Sequence, residues 1–300
     1  MNNEFIKVEH HEAAGFTKDE QGKWVEPYKF IFIADPQPGL IDVCHKGDGS
    51  KWQAEILNMN EAVTAINKMQ PRPKFLLIGG DITNAFPGRQ YHPEQVRDVR
   101  QAFSSLDSTI PMFVASGNHD LDDKPTMKTM EIYRQSFGDE YYTFWFGGVF
   151  YIVISSQCIV SPDGTGSLYQ VQEAWLEEQL EMALSSSCKH VVLFMHIPPF
   201  ADHPDEPDFY FSIPKDHRFK LLEQFADAGI KKVFSGHLHR NAGGVWTRKN
   251  PDESVSKVEV VASSSLGQQL GQDKAGVRVV RVLEKEITHS YYPLAEIPSQ

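Results

Sequence analysis

The sequence predicts an α/β fold built around a parallel β-sheet. Between residues 29 and 116, short apolar runs alternate with amphipathic helical segments in the order βαβαβ. That order is typical of parallel sheets with right-handed crossovers. Five apolar runs along the chain end in Asp, Asn or His, either directly or after one or two glycines. Because the carboxyl ends of parallel strands meet at one edge of a sheet, we expect these polar side chains to converge there.

The first part of the chain supplies the predicted βαβαβ unit. Residues 1–28 are polar and are interrupted by glycine and proline, so we predict either a weakly ordered lead-in or a strap across the surface. Apolar residues from Ile56 to Ile66 are spaced by three and four positions, and Pro71 ends this helical pattern. The predicted strands cover residues 29–34, 75–78 and 112–116, and the predicted helices cover residues 52–69 and 93–106.

The second part of the chain is richer in aromatic and β-branched runs, which indicate strands. Gly147 and Gly148 separate two such runs and predict a two-residue hairpin. No segment has the composition of a linker, so we predict a single domain over residues 29–293, followed by a tail at 294–300. The predicted helices cover residues 171–184 and 216–228, and the strands cover 142–146, 149–155, 191–195, 232–235, 258–262, 277–283 and 287–292, with the last three antiparallel.

Composition narrows the class of protein. The chain has 300 residues with 41% hydrophobic and 23% charged content, which is typical of globular proteins. A net charge of -11 without a basic stripe argues against a nucleic-acid partner. No apolar run is long enough for a signal peptide or a membrane span, so we predict no membrane association. Three cysteines, Cys44, Cys158 and Cys188, lack metal-ligand spacing and predict reduced thiols in a cytoplasmic protein.

The polar strand ends are the most informative feature of the chain. In the run FLLIGGDITN, a buried strand ends at Asp81, and the paired glycines let other groups approach the backbone closely. A role in capping the next turn would explain one such Asp. Five strand ends of this kind at one sheet edge instead indicate a metal site. The side chains concerned are Asp35, Asp81, Asn118, His119, Asp120, His196, His237 and His239.

The order of these motifs resembles that of the calcineurin-like metallophosphoesterases. The pattern D-x-[H or Q], GD, GNH, H and GHxH spans Asp35 to His239, which is most of the chain. The resemblance implies a four-layer sandwich in which two packed mixed β-sheets are flanked by α-helices. The shorter motifs ADPQPG, GNHD and GHLHRNAGG resemble a cytosolic branch of that family that hydrolyses phosphoserine and phosphothreonine on proteins.

The resemblance implies a dinuclear metal centre. Two divalent cations roughly 3.5 to 4 Å apart can share one carboxylate and activate a bridging hydroxide near neutral pH. Mixed imidazole, carboxylate and amide ligands favour Mn, Fe or Zn, with Mg possible. Gln37 departs from the commoner D-x-H pattern, so the first metal either binds more weakly or is a harder ion. The implied ligands are Asp35, Gln37, Asp81 and His239 for the first metal, and Asp81, Asn118, His196 and His237 for the second.

The same resemblance assigns catalytic roles. His119 would be the general acid that protonates the leaving alkoxide during in-line attack by the bridging hydroxide. Asp120 would either orient that ring or cap the following segment. Arg240 would either bind phosphate, together with Asn118, or be an ordinary surface arginine. Asn84 would either support Asp81 from behind or serve ordinary turn chemistry.

Three functions are compatible with this reading. The favoured one is a phosphatase for phosphoserine and phosphothreonine in a phosphoprotein partner. A phosphodiesterase or small-molecule phosphatase would use the same scaffold, because fold and metals do not fix the substrate. A metal-binding interaction module with decayed catalysis is suggested by Gln37. For the acidic, proline-rich residues 201–215, we favour a solvated insertion over a rim that contacts residues flanking the phosphate.

Overall fold

Two β-sheets pack face to face in the computed structural model, which describes residues 3–299. The strands in this range are β1 (Tyr28–Ile33), β2 (Leu76–Gly79), β3 (Met112–Ala115), β4 (Tyr142–Phe146), β5 (Val149–Val153), β6 (His190–Phe194), β7 (Lys232–Ser235), β8 (Ala242–Lys249), β9 (Val255–Ala262), β10 (Gly276–Val282) and β11 (Ile287–Pro293). The α-helices in this range are α1 (Lys18–Gln21), α2 (Leu40–Cys44), α3 (Gln53–Lys68), α4 (His92–Phe103), α5 (Asn118–Leu121), α6 (Met127–Phe137), α7 (Ser156–Val160), α8 (Leu168–Ser185) and α9 (Lys215–Asp227).

Both sheets are mixed, as the resemblance predicts. The first has the order β11-β10-β1-β2-β3, in which β1, β2 and β3 are parallel and Phe32 lies opposite Leu77. The second has the order β4-β5-β6-β7-β9-β8, with a parallel centre in which Phe194 lies opposite Phe234. Strands β1 and β2 are therefore interior strands of the first sheet, and β6 and β7 are interior strands of the second. The loops that carry the predicted polar residues follow the carboxyl ends of these four strands.

An aromatic layer joins the two sheets. Phe113 of β3 stacks on Phe144 of β4 with ring centroids 4.0 Å apart, and Phe30 of β1 lies 5.9 Å from Phe194 of β6. Helices α3, α4 and α6 cover the outer face of the first sheet, and α8 and α9 cover that of the second. Burial of large aromatic side chains supplies much of the energy that holds such layers together. The fold is thus the predicted four-layer sandwich.

The structure differs from the predictions at strands β8 and β9, and it decides between the two alternatives for the lead-in. Strand β8 was not predicted, because its Ala-Gly-Gly start has low β propensity and its position at a sheet edge leaves much of it exposed. Strand β9, predicted to be antiparallel, pairs in parallel with β7 and antiparallel only with β8. The polar lead-in lies as a strap, since Phe5 and Val8 are buried and Phe5 forms a bridge with Met112.

The division into a domain at residues 29–293 and a tail remains a prediction. Within residues 3–299, no helix has the length and apolar character needed to cross a bilayer.

Candidate active site

The predicted polar side chains meet where strands of the two sheets end. Asp35 follows β1 and Asp81 follows β2, while His196 follows β6 and His237 follows β7. Gly80 has a φ of +93°, and a Cβ there would lie 2.5 Å from His196 Nδ1. The paired glycines before Asp81 therefore let the second sheet's histidine approach the first sheet's backbone, as the motif predicts.

The backbone at this edge adopts a conformation that non-glycine residues rarely take. Residues with positive φ are frequent in functional sites because the surrounding structure holds them against local strain. The candidate ligands with positive φ are Asp35 at 48°, Gln37 at 36°, Asp81 at 50°, His237 at 69° and His239 at 50°. The chain therefore turns sharply after these strands. The turns bring Asp35, Asp81, His237 and His239 to the same edge of the two sheets.

Two overlapping groups of ligand atoms lie at this edge. One consists of Asp81, His196 and His237, and the other of Asp35, Asp81 and His239; within each group the ligand atoms lie within 4.8 Å of one another. His196 Nε2 is 3.3 Å from Asp81 Oδ1, and His239 Nε2 is 3.4 Å from Asp35 Oδ1. Asp81 belongs to both groups, which is the arrangement required of a carboxylate shared by two cations.

Two further predicted ligands have amide oxygens without a hydrogen-bond partner. Gln37 Oε1 and Asn118 Oδ1 are buried and have no hydrogen-bond partner within residues 3–299, and the same is true of His196 Nε2. Leaving a buried polar atom unpaired costs about 1–3 kcal/mol, so a bound cation would stabilise these predicted ligand atoms. The donor set therefore fits divalent cations that accept nitrogen and oxygen ligands.

The histidine rings are fixed by bonds on their far sides. His196 Nδ1 donates to Gly79 O at 2.8 Å, and His239 Nδ1 donates to Gln268 O at 2.5 Å. His237 Nε2 donates to the carbonyl oxygen of Tyr210 at 3.2 Å, so that ring offers Nδ1 instead. Such bonds set the tautomer and leave the other nitrogen as a metal ligand.

The charged groups of the cluster shift one another's pKa values. Burial alone would lower the pKa of His196, but Asp81 and Asp35 raise it to about 9. Burial would raise the pKa of Asp81, yet the neighbouring histidines hold it well below its usual range. Burial and the charge on His196 lower the pKa of His237 to about 3. Burial also raises the pKa of Asp35, so the buried carboxylates and imidazoles of this cluster are strongly coupled.

His119 lies beside this cluster, and its ring is fixed by a hydrogen bond through Nδ1 and by stacking on an aromatic side chain. Its Nδ1 donates to the carbonyl oxygen of Asn84 at 2.6 Å, and the ring stacks on Phe86 with centroids 4.8 Å apart. Its backbone N–H donates to Asp81 Oδ1 at 2.9 Å. Asn84 therefore contacts the predicted acid rather than supporting Asp81. With Nδ1 occupied, Nε2 is the nitrogen available for proton transfer.

Asp120 has a capping role rather than a contact with the His119 ring. Its carboxylate accepts from Gly117 N at 2.8 Å and from Ile82 N at 2.9 Å, which ties the turns after β2 and β3 together. Burial and the nearby Asp81 raise the pKa of Asp120 to about 7. Of the two predicted roles, the structure selects the cap.

Arg240 pairs with the acidic insertion. Its guanidinium donates to both carboxylate oxygens of Asp202, at 3.1 and 2.7 Å. Both protons of Asn118 Nδ2 are also engaged, by Asp123 Oδ1 at 2.9 Å and by the Tyr210 hydroxyl at 3.0 Å. Phosphate binding by Asn118 would require one of its two bonds to break, whereas the Arg240 guanidinium has five N–H donors and uses two of them on Asp202. Phosphate binding by either residue stays a prediction.

The insertion at residues 201–215 is exposed along much of its length, as a solvated segment is, and it also reaches the site through Tyr210. The Tyr210 hydroxyl accepts from the Asn118 amide, and the Tyr210 ring centroid lies 5.1 Å from that of His237. Its aromatic triplet Phe209-Tyr210-Phe211 was the sequence signal for the alternative, a rim.

Other contributing residues carried no sequence signal. Gln95 is fully buried on α4, and its Oε1 accepts from the backbone N–H groups of Asn84 and Ala85, at 3.1 and 2.8 Å. It thereby supports the carbonyl that holds His119. Nothing in the local pattern of a helix identifies such a long-range contact.

Fold and site define a class that the comparisons confirm. A family model for calcineurin-like phosphoesterases matches residues 28–241, and the chain belongs to this family. It is 41% identical over 298 residues to human serine/threonine-protein phosphatase CPPED1, covering 98% of this chain and 92% of the relative. The Danio rerio protein of the same name is also 41% identical, over 98% of this chain and 93% of the relative.

A solved structure agrees on the fold. A purple acid phosphatase from yellow lupin seeds superposes with a TM-score of 0.63 at 12% identity, covering 92% of this chain and 52% of that one. At this identity the likeness concerns the arrangement of sheets and helices.

Proposed function

We propose that this protein is a metal-dependent phosphatase that hydrolyses phosphoserine and phosphothreonine on proteins. The observation that carries the proposal is that two buried ligand groups share Asp81. The buried amide oxygens of Gln37 and Asn118, which have no partner within residues 3–299, support it. The names of the CPPED1 relatives support the choice of protein substrates.

The ligand assignment follows the two groups. When bound, a pair of cations would lower the pKa of water and offset the negative charge of the phosphate. Manganese, iron or zinc suits the mixed donors better than magnesium. The first cation would be held by Asp35, Gln37, Asp81 and His239, and the second by Asp81, Asn118, His196 and His237.

His119 supplies the proton in this proposal. The Asn84 carbonyl accepts from Nδ1, so the ring delivers its other proton from Nε2 to the departing seryl or threonyl oxygen. An alkoxide is a poor leaving group, and a positioned acid contributes on the order of 10²- to 10⁴-fold to its departure. Arg240 would contact phosphate through the guanidinium N–H groups that its pair with Asp202 leaves free.

A cytoplasmic location is part of the proposal. All three cysteines are free, and burial raises the pKa of Cys158 to about 12, which keeps it as a thiol. Reduced cysteines are typical of cytosolic proteins. Fluorescence microscopy of the tagged chain would test this, and accumulation in an oxidising compartment would contradict it.

Substrate class is tested with metal-stripped protein titrated with Mn, Zn and Mg. A phosphoserine peptide and a phosphodiester are assayed side by side for each metal. We expect metal-dependent phosphate release from the peptide and little diester cleavage. Preferential diester cleavage would favour the phosphodiesterase, whereas bound metal without either activity would favour an interaction module.

A further inference from the structure

A buried arginine fixes the shape of the acidic insertion. Arg218 of α9 is 0% exposed, and its guanidinium donates to four groups of residues 201–215. The acceptors are the carbonyl oxygens of Ile213 at 3.0 Å and of Pro204 and Glu206 at 2.8 Å each, and Ser212 Oγ at 3.0 Å. A buried cation is retained only where its donors are satisfied, so these bonds give the insertion a defined conformation.

The anchored insertion brings one hydroxyl to the metal edge. Tyr210 Oη accepts from Asn118 Nδ2 at 3.0 Å and donates to Asp123 Oδ1 at 3.3 Å. Asp123 Oδ1 also accepts from Asn118 Nδ2, at 2.9 Å. Gln157 Nε2 in turn donates to the Asp123 carbonyl oxygen at 2.7 Å, which ties this turn to α7. The three side chains form a closed set around one amide nitrogen.

These contacts decide which end of the Asn118 amide is hydrogen-bonded and which end is left without a partner. The two ends of a carboxamide are nearly the same size, but the oxygen is an acceptor and the nitrogen a donor. Tyr210 and Asp123 both engage the nitrogen, while Oδ1 is buried and has no partner within residues 3–299. A flipped amide would point N–H groups at the cluster and repel a cation.

We propose that Tyr210 and Asp123 are positioning residues that hold Asn118 with its oxygen toward the second cation. The inference rests on the proposed assignment of Asn118 as a ligand. Tyr210 also accepts from His237 Nε2 through its backbone carbonyl, at 3.2 Å. Because that contact belongs to the backbone, Tyr210→Phe removes the hydroxyl and retains both the His237 bond and the aromatic ring.

The test is calorimetric titration of metal-stripped protein with Mn²⁺. In Tyr210→Phe we expect one of two binding steps to weaken by about 10- to 100-fold, the range typical of partners that orient a ligand, with the other step unchanged. Asp123→Ala should affect the same step. The matched control is Tyr169→Phe, whose hydroxyl contacts Glu173 and His217 between α8 and α9 and should leave both steps unchanged.

A second background isolates the orientation of the amide. Asn118→Asp replaces the carboxamide by a group whose two oxygens are equivalent, so no wrong end exists. It is combined with Asp123→Asn so that the oxygen now facing residue 123 keeps an N–H donor in place of a second carboxylate. Tyr210→Phe in that background should change Mn²⁺ affinity by less than about twofold. An undiminished loss there would overturn the inference, since Tyr210 would then act on something other than the amide.

Other outcomes are also decisive. Unchanged Mn²⁺ affinity in Tyr210→Phe would overturn the inference, and a loss of kcat without a loss of affinity would overturn it in favour of direct substrate contact. If the unmodified protein binds two Mn²⁺ ions, the proposed metal site stands whatever Tyr210 does. Absence of binding in the unmodified protein would instead overturn the proposed function itself.

Discussion

The turns that carry the two amide side chains of the site are built differently. In the turn after β3, the nitrogen of Asn118 has two side-chain acceptors, Asp123 and Tyr210. In the turn after β1, neither the nitrogen nor the oxygen of the Gln37 amide has a hydrogen-bond partner within residues 3–299, and the Gln37 backbone N–H donates to Asp81 O at 3.2 Å. A longer and less restrained amide loses more side-chain entropy when it binds. We therefore expect the second cation to bind more tightly than the first.

The largest effect concerns a residue that belongs to neither ligand group. His119→Ala removes the proposed acid but retains the backbone bond to Asp81. We expect kcat on a phosphoserine peptide to fall on the order of 10²- to 10⁴-fold, with a much smaller loss on an aryl phosphate. Metal content should not change. Equal losses on both substrates would rule out the acid role, and exposed His10→Ala is the control.

A substitution at Gln37 tests whether this amide makes the first cation the more weakly bound of the two. In Gln37→His an imidazole replaces the neutral oxygen ligand, so the affinity for the weaker cation should rise by about tenfold or more. Calorimetric titration of the metal-stripped variant measures the change, and Gln101→His on the exposed face of α4 is the control. Equal affinity in the variant and the unmodified protein would show that Gln37 is not a ligand.

The smallest expected effect is on stability, through an ion pair that joins the two sheets. Glu259 of β9 accepts from His289 of β11 at 3.1 Å and pairs with Lys232. The hydrogen bond from His289, with the Lys232 contact, lowers the pKa of Glu259 from 4.5 to about 2. A lowered carboxyl pKa contributes stability above pH 4.5 that is lost as pH falls toward 2.

Glu259→Gln should therefore lower the free energy of unfolding near pH 6 by no more than about 1 kcal/mol, because the pair is partly exposed. The difference from the unmodified protein should shrink between pH 4.5 and 2, as measured by urea unfolding. Exposed Glu286→Gln is the control. A difference that stays constant across this range would contradict the assigned ion pair.

The parts of the site that the sequence predicts lie at strand ends. Asp35, Asp81 and His196 each follow a short apolar run, so a local pattern and the geometry of parallel strands suffice to bring them together. The four-layer arrangement came from the order of these motifs, since apolar runs alone do not specify how two sheets face each other.

What the sequence did not predict depends on contacts between distant segments. Tyr210 lies 92 residues from Asn118 in the chain, and the acidic and proline-rich composition of its segment predicts an exposed loop. The Arg218 side chain that organises this segment stands in a helix, where a charged residue ordinarily faces solvent. Only the folded chain brings these groups together.

The central claim is that one carboxylate serves two cations. Elemental analysis of Asp81→Asn, with exposed Asp163→Asn as the control, tests it most directly. Since Asp81 belongs to both ligand groups, we expect the unmodified protein and the control to hold two metal ions per chain and Asp81→Asn to lose both or nearly both. Two ions per chain in Asp81→Asn would contradict the shared site.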